Sequence, residues 1–241
     1  MNADDYIAGF PNHPHRGFET VTYMLNGHML HQDHLGNRGD LKPGSVQWMT
    51  AGRGIIHSEM TQRASGRMRG FQLWLNLPAA EKMKSAAYQD IQAEEIPLIT
   101  LEGGGEMKII AGTAQIQDQV ISGPIQGLST EPSFLDVRLP SGGDFTHSIV
   151  QGHNAFVYIY QGEGEAEIGS MAEKRSLEIH AVGILSEGDR MEVHAGKQGA
   201  GILVLAAKPL REPVVQYGPF VMNTRDEIEQ AIADYRNGQL V

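Results

Sequence analysis

Short runs of alternating apolar and polar residues recur along the chain between turn signals, a period of two that predicts β-strands rather than helices. Such runs stand at residues 19–25 (ETVTYML), 45–49 (SVQWM), 71–77 (FQLWLNL) and 107–111 (MKIIA), with turns at Asn26-Gly27 and Pro43-Gly44 among their separators. In FQLWLNL, Phe71, Leu73, Leu75 and Leu77 share one face and Gln72, Trp74 and Asn76 the other, so one face is expected to pack a core. Several short strands at this spacing predict a sandwich or a barrel.

After a Gly- and Pro-containing stretch at residues 121–132 (ISGPIQGLSTEP), strand-like runs resume at 134–139, 155–160, 182–186, 191–194 and 201–207. This predicts a second β domain, with residues 1–120 forming the first and residues 121–241 the second. The halves echo one another: YMLNGHMLHQD followed by LKPGSVQWMTAG in one, YIYQGEGEAEI followed by LSEGDRMEVHAG in the other. The echo suggests a duplicated barrel rather than one continuous sheet. Near the end, TRDEIEQAIADY spaces Ile228, Ile232 and Tyr235 at helical intervals behind Thr224 as N-cap, which predicts a short amphipathic helix.

Composition narrows the chemistry. Hydrophobic residues at 41% and charged residues at 20%, with Gly 29 and Pro 11, fit a globular, turn-rich protein. Acidic residues outnumber basic ones, 29 to 19, and a formal charge of -10 with no local basic patch opposes direct nucleic-acid binding. The absence of cysteine excludes disulfides, thiolate metal sites and thiol nucleophiles, so a metal ion must sit on imidazole, carboxylate or water. The opening MNADDYIAGFP has no basic region leading into an apolar core, and no apolar run reaches membrane-spanning length, so a soluble cytoplasmic protein with no membrane partner is expected.

His13 and His15 are two apart, so an extended backbone projects both imidazoles to one face; His57 and Glu59 repeat the geometry. Either pair alone also reads as satisfied polar residues near a turn, but two pairs in one β domain point to a ligand set. Three neutral imidazoles and a carboxylate suit Fe(II), Mn, Ni, Cu or Zn and leave coordination positions open for water, substrate or oxygen. His28, His31 and His34 follow the Asn26-Gly27 turn and are placed at the mouth of the same cavity, at the surface or orienting the ligands rather than binding metal. Glu19 is a candidate ligand, base or orienting partner for a histidine. The AGRGIIH segment lacks the lysine of a phosphate loop, so Gly52 and Gly54 read as tight turns. In the second half His147, His153, His180 and His194 form no such pair, and that barrel is expected to be metal-free.

Four segments carry a resemblance to a known family: HPHRGFETVTYMLNG at 13–27, LKPGSVQWMTAGRGIIHSEM at 41–60, LWLNLP at 73–78 and GPFVMNT at 218–224. Together they resemble the pirin family over nearly the whole chain. The resemblance implies an all-β bicupin, two double-stranded β-helix barrels in tandem with a short C-terminal helix. It implies one iron in the N-terminal barrel on His13, His15, His57 and Glu59, and an empty C-terminal barrel. Pirins usually carry several dozen residues before this HPH motif, so the chain looks short of N-terminal strands. That is expected to weaken metal retention and any homo-oligomeric contact.

Two functions follow from the resemblance. The first is a quercetin 2,3-dioxygenase-like activity, in which a flavonol is opened by dioxygen at the metal and Glu59 accepts the flavonol hydroxyl proton. Phe18, Trp48 and Met49 are candidates for the apolar wall of that pocket, or for barrel core. The alternative is a non-enzymatic, iron-dependent regulator that binds a transcription factor or a metabolic enzyme. A third reading is a degenerate cupin without stable metal binding.

Overall fold

The computed structural model describes residues 9–62, 67–162, 165–169 and 174–241. The opening residues 1–8, and residues 163–164 of the second repeat segment, lie outside the described residues. The chain divides into two compact units, residues 1–93 with 210–241, and residues 94–209.

The first unit carries β1 (Phe10–His15), β2 (Phe18–Asn26), β3 (Met29–Asp33), β4 (Arg38–Leu41), β5 (Val46–Thr50), β6 (Ile55–Thr61), β7 (Arg69–Asn76) and β8 (Ala87–Ile91). These make two antiparallel four-stranded sheets, in the orders β1-β6-β3-β4 and β7-β2-β5-β8. Residues that point between the sheets alternate with outward ones, as in β3, where Met29 and His31 are buried and Gln32 is exposed.

The second unit carries β9 (Leu98–Thr100), β10 (Glu106–Ala111), β11 (Thr113–Ile116), β12 (Gln119–Ser122), β13 (Ser133–Leu139), β14 (Asp144–Ser148) and β15 (Asn154–Gln161). It continues with β16 (Glu165–Gly169), β17 (Lys174–Glu178), β18 (Val182–Ile184), β19 (Arg190–His194) and β20 (Ala200–Ala207). Its sheets run β18-β15-β20-β13-β10-β9 and β14-β19-β16-β17. The duplication expected from the sequence is visible in these orders. The set β14-β19-β16-β17 repeats β1-β6-β3-β4, and β18-β15-β20 repeats β5-β2-β7. The shared core of this unit includes Met107, Ile109, Leu135, Val157, Met191 and Ile202, all nearly inaccessible.

The boundary expected between residues 120 and 121 is corrected by strand pairing. β10 lies before the 121–132 loop, yet it hydrogen-bonds to β13 beyond it, with Glu106 opposite Arg138 and Met107 opposite Val137. Residues 94–120 therefore belong to the second unit, and the division falls between Ala93 and Glu94. A second correction concerns the C-terminal segment, which returns to the first unit. There β21 (Val215–Tyr217) pairs with β22 (Phe220–Met222), and α1 (Arg225–Arg236) follows.

Thr224 caps α1: its hydroxyl accepts from the Glu227 N–H at 3.3 Å while the Glu227 carboxylate accepts from the Thr224 N–H at 2.8 Å. The buried stripe of the helix is Ile228 and Ala231, with Ile232 half-buried; they pack with Phe220, Met222, Leu240 and Ile56 of β6. Tyr235, expected on that stripe, is 42% exposed. No helix among the described residues is long and apolar enough to cross a membrane.

The C-terminal segment is fastened to the chain just after β1. The Val221 N–H donates to the Arg16 carbonyl at 3.0 Å, and the Arg16 guanidinium donates to Asp234 Oδ2 at 2.6 Å, to the Leu240 carbonyl and to the Arg53 carbonyl. Buried Lys82 donates from Nζ to the Gly17 carbonyl at 2.7 Å, the Val221 carbonyl at 2.9 Å and Asn76 Oδ1 at 2.5 Å. Between these anchors Gly17 sits at φ +90°, and a Cβ there would lie 2.0 Å from the Val221 carbonyl oxygen. Backbone conformation and contact both demand glycine. Gly17→Ala is expected to lower unfolding stability by about 2 kcal/mol or more, read as an earlier urea midpoint, because neither the turn nor the carbonyl can yield cheaply.

Candidate metal centre

In β1 and β6 the backbone is extended and the strands run antiparallel with His13 opposite His57 and His15 opposite Ile55. The two-residue period of β1 turns His13 and His15 the same way, and the register sets His57 across from them. The ring centroids lie 4.8 Å apart for His13 and His15, 4.3 Å for His13 and His57, and 4.9 Å for His15 and His57. One ligand atom from each of the three falls within 4.8 Å of the others. Among the described residues this is the one group of at least three histidine or carboxylate side chains that converges so closely.

Hydrogen bonding assigns the tautomers. His13 Nδ1 lies 2.8 Å from the Pro11 carbonyl, which can only accept, so Nδ1 carries the proton and Nε2 keeps a free lone pair. His57 Nδ1 lies 2.6 Å from His31 Nε2. With the proton on His57 Nδ1 and His31 accepting, His57 Nε2 is open, and that atom is buried without a partner. Both ring nitrogens of His15 are likewise buried and make no hydrogen bond of good geometry, the Pro219 carbonyl being the one backbone acceptor that acts on the ring. Buried polar atoms left this way cost stability unless something outside the protein satisfies them, and a divalent cation fits the set.

Burial is the main cause of depressed basicity here. It lowers His15 to about 3, with His13 and His31 adding repulsion. It lowers His31 to about 4 and drives His57 down as well, with His15 the next cause for His57. His15, His31 and His57 are therefore neutral at pH 7, the state a metal ligand requires.

Glu59 follows on the same face of β6 and is 2% exposed. Its Oε1 accepts from Thr22 Oγ1 at 3.2 Å, and both carboxylate oxygens accept from Gln72 Nε2 at 2.9 Å. Burial raises its pKa, opposed first by the Gln72 hydrogen bond. Glu59 is not one of the three converging groups and is turned to Gln72 and Thr22.

The other sequence candidates separate. Of the second histidine cluster only His31 touches the site; His28 pairs with Asp40, and His34 Nδ1 accepts from the Ile56 N–H at 3.3 Å. Glu19 lies on the opposite face of β2 from Thr22 and accepts from Trp48 Nε1 at 3.0 Å and Thr50 Oγ1 at 2.6 Å. Of the proposed apolar wall, Phe18 stacks edgewise on His15 at 5.1 Å, whereas Met49 packs in a cluster with Ala51 and Ile55. Trp74 was not anticipated at the site: it lies 4.4 Å from Phe18 and 5.5 Å from His15. Gln72 was also missed. Both lie on the polar face of FQLWLNL, and that face is the one turned to the histidines and Glu59.

A pH dependence follows. The folded pKa values of His15 and His31 lie below 6.5, so the unfolded chain binds these protons more readily. Stability fully present above pH 6.5 is lost as pH falls towards about 4 and then about 3. In metal-free protein, urea unfolding between pH 7 and 5 is expected to show this loss, and His15→Leu to flatten it by roughly 1 kcal/mol per pH unit. An unchanged slope would mean that His15 is not held neutral by its burial.

Comparison with known proteins agrees with this architecture. The Pirin family model matches residues 1–75, and the model for the pirin C-terminal cupin domain matches residues 134–241. A Pseudomonas aeruginosa protein provisionally named quercetin 2,3-dioxygenase is 52% identical over 242 residues, covering 100% of this chain and 83% of the relative. Human pirin is 41% identical over 240 residues, covering 96% of this chain and 78% of its own length. A crystal structure of quercetin 2,3-dioxygenase from Acinetobacter baumannii superposes with a TM-score of 0.86 at 37% identity, over 96% of this chain and 79% of that one. With two β units that repeat each other's strand order, and with both family models and close relatives along its length, the chain belongs to the pirin family, a cupin domain in each unit.

Proposed function

We propose that the protein is a metal-dependent dioxygenase that opens flavonols such as quercetin, with the metal held by His13, His15, His57 and Glu59. The observation that carries the reading is the convergence of three imidazoles, His15 and His57 fully buried with open nitrogens and His13 half-buried, beside an aromatic wall. The names of the Pseudomonas relative and of the Acinetobacter structure support the substrate class. A bound divalent ion, Fe(II) as the first assignment, would supply a Lewis-acidic, redox-active centre.

The remaining work falls to the chain's own residues. Glu59, with its pKa raised by burial, takes the proton of the flavonol hydroxyl and leaves an electron-rich enolate for dioxygen. Gln72 and Thr22 hold the Glu59 carboxylate in place by hydrogen bonds that a carboxylate accepts more strongly than a carboxylic acid. Phe18 and Trp74 offer flat apolar surface to a planar substrate. Net reaction balances as flavonol plus dioxygen giving the ring-opened ester and carbon monoxide.

The test is dioxygen uptake and carbon monoxide release by Fe(II)-loaded protein given quercetin without prior exposure to air. Turnover is expected in the parent and a loss of at least about a hundredfold in His57→Ala and Glu59→Ala. Absence of turnover with a filled iron site would overturn the flavonol reading in favour of an iron-dependent regulator of a protein partner. His31→Phe removes the hydrogen bond to His57 while keeping the ring. It is expected to weaken metal binding by about 10- to 100-fold, measured by competition with a chromogenic chelator.

A further inference from the structure

The two β units share a ladder but not its donors, and the inward positions show the difference. In the first unit His13 lies opposite His57, and His31 opposite Glu59. In the second, β14 and β19 set His147 opposite Met191, and β16 and β19 set Ile168 opposite Val193. The inward positions of the second ladder carry Ala166 and Ile168 on β16, Met191 and Val193 on β19 with Ala195 just beyond it, and Phe145 beside His147 on β14. One imidazole survives in an otherwise apolar setting.

That imidazole faces a cavity of about 250 Å³, lined also by Ser133, His153, Ile125, Ile149 and Ala206. His147 is 9% exposed, and the ring of Phe145 lies parallel to it at 6.1 Å. Ser133 Oγ is buried without a hydrogen bond. Burial lowers His147 to about 4, so at pH 7 the ring offers one N–H and one bare nitrogen. The lining holds no lysine or arginine and one carboxylate, Glu131, which disfavours an anionic ligand. Neither does a metal fit, because the histidine and carboxylate atoms here do not converge as those of the first unit do.

The adjoining cavity of about 640 Å³ shares Ile149 and His153, but its rim charges answer one another, as Arg190 and Glu192 do at 3.0 Å, and they specify no ligand.

We infer that the second cupin unit binds a small, uncharged hydroxylated aromatic molecule, a single-ring phenol, with its hydroxyl between His147 and Ser133 and its ring against Ile125, Ile149 and Ala206. A phenolic hydroxyl both donates and accepts, which matches the two unsatisfied groups. The apolar walls favour a ring over an aliphatic polyol, and the volume admits one ring more readily than a fused system. The inference stands apart from the chemistry of the first unit.

The test follows histidine ring nitrogens by NMR in ¹⁵N-histidine-labelled full-length protein titrated with phenol, and separately with benzoate and with Ni²⁺. The signals that vanish in His147→Phe, or in His147→Gln should the first variant not fold, belong to His147. The expected result is a saturable phenol-dependent shift of those signals, weakened at least about fivefold in Ser133→Ala, with benzoate weaker than phenol. Perturbation confined to His13, His15 and His57, a His147 signal that stays still, or a stronger response to benzoate or Ni²⁺ than to phenol would each overturn the proposal.

Discussion

A buried guanidinium organises the first unit. Arg16 immediately follows the strand that bears His13 and His15, and its charge is met by Asp234 and by the carbonyls of Arg53 and Leu240. A buried cation lacking such partners would cost several kcal/mol, so the side chain holds these segments together. Lys82 does the same for the turn at Gly17; its side chain is almost wholly buried, and that burial lowers its pKa to about 8. The strand carrying the histidine pair is thereby fixed at its end by residues more than two hundred positions away.

With the strand fixed, the electrostatics of the centre follow from packing. Three imidazoles within a few ångströms repel one another when protonated, and the surrounding apolar walls refuse their charge. The polar groups that remain are arranged around the ligand face. Pro11 and His31 occupy the nitrogens that point away, and Gln72 and Thr22 occupy the carboxylate. The same ladder in the second unit, with Phe145, Met191, Val193 and Ala195 on its inward positions, builds an apolar chamber instead. One scaffold therefore supports two chemistries through a handful of inward positions.

Much of this was legible in the sequence, for identifiable reasons. The two-residue spacing of His13 with His15, and of His57 with Glu59, specifies a shared face wherever the backbone is extended, so convergence needed only the right strand pairing. Thr224 announced the helix start as an N-cap, and the structure adds Glu227 as the other half of a capping box. What stayed hidden depends on partners distant along the chain. His31 looked like one of three similar histidines until β3 paired with β6. Gln72 and Trp74 read as a solvent face because polarity alone does not distinguish a site from water. The boundary drawn at a Gly- and Pro-containing loop gave way to hydrogen bonds between β10 and β13, which composition does not encode.

The return of residues 210–241 to the first unit bears on the order of events during synthesis. Among the described residues, every strand of 94–209 finds its partner within that unit, which needs nothing made later. The earlier-made unit, which contains the histidine centre, has Arg16 and the Gly17 turn unmet until residues 210–241 emerge. The unit of this chain made earlier is thus completed later than the unit that follows it.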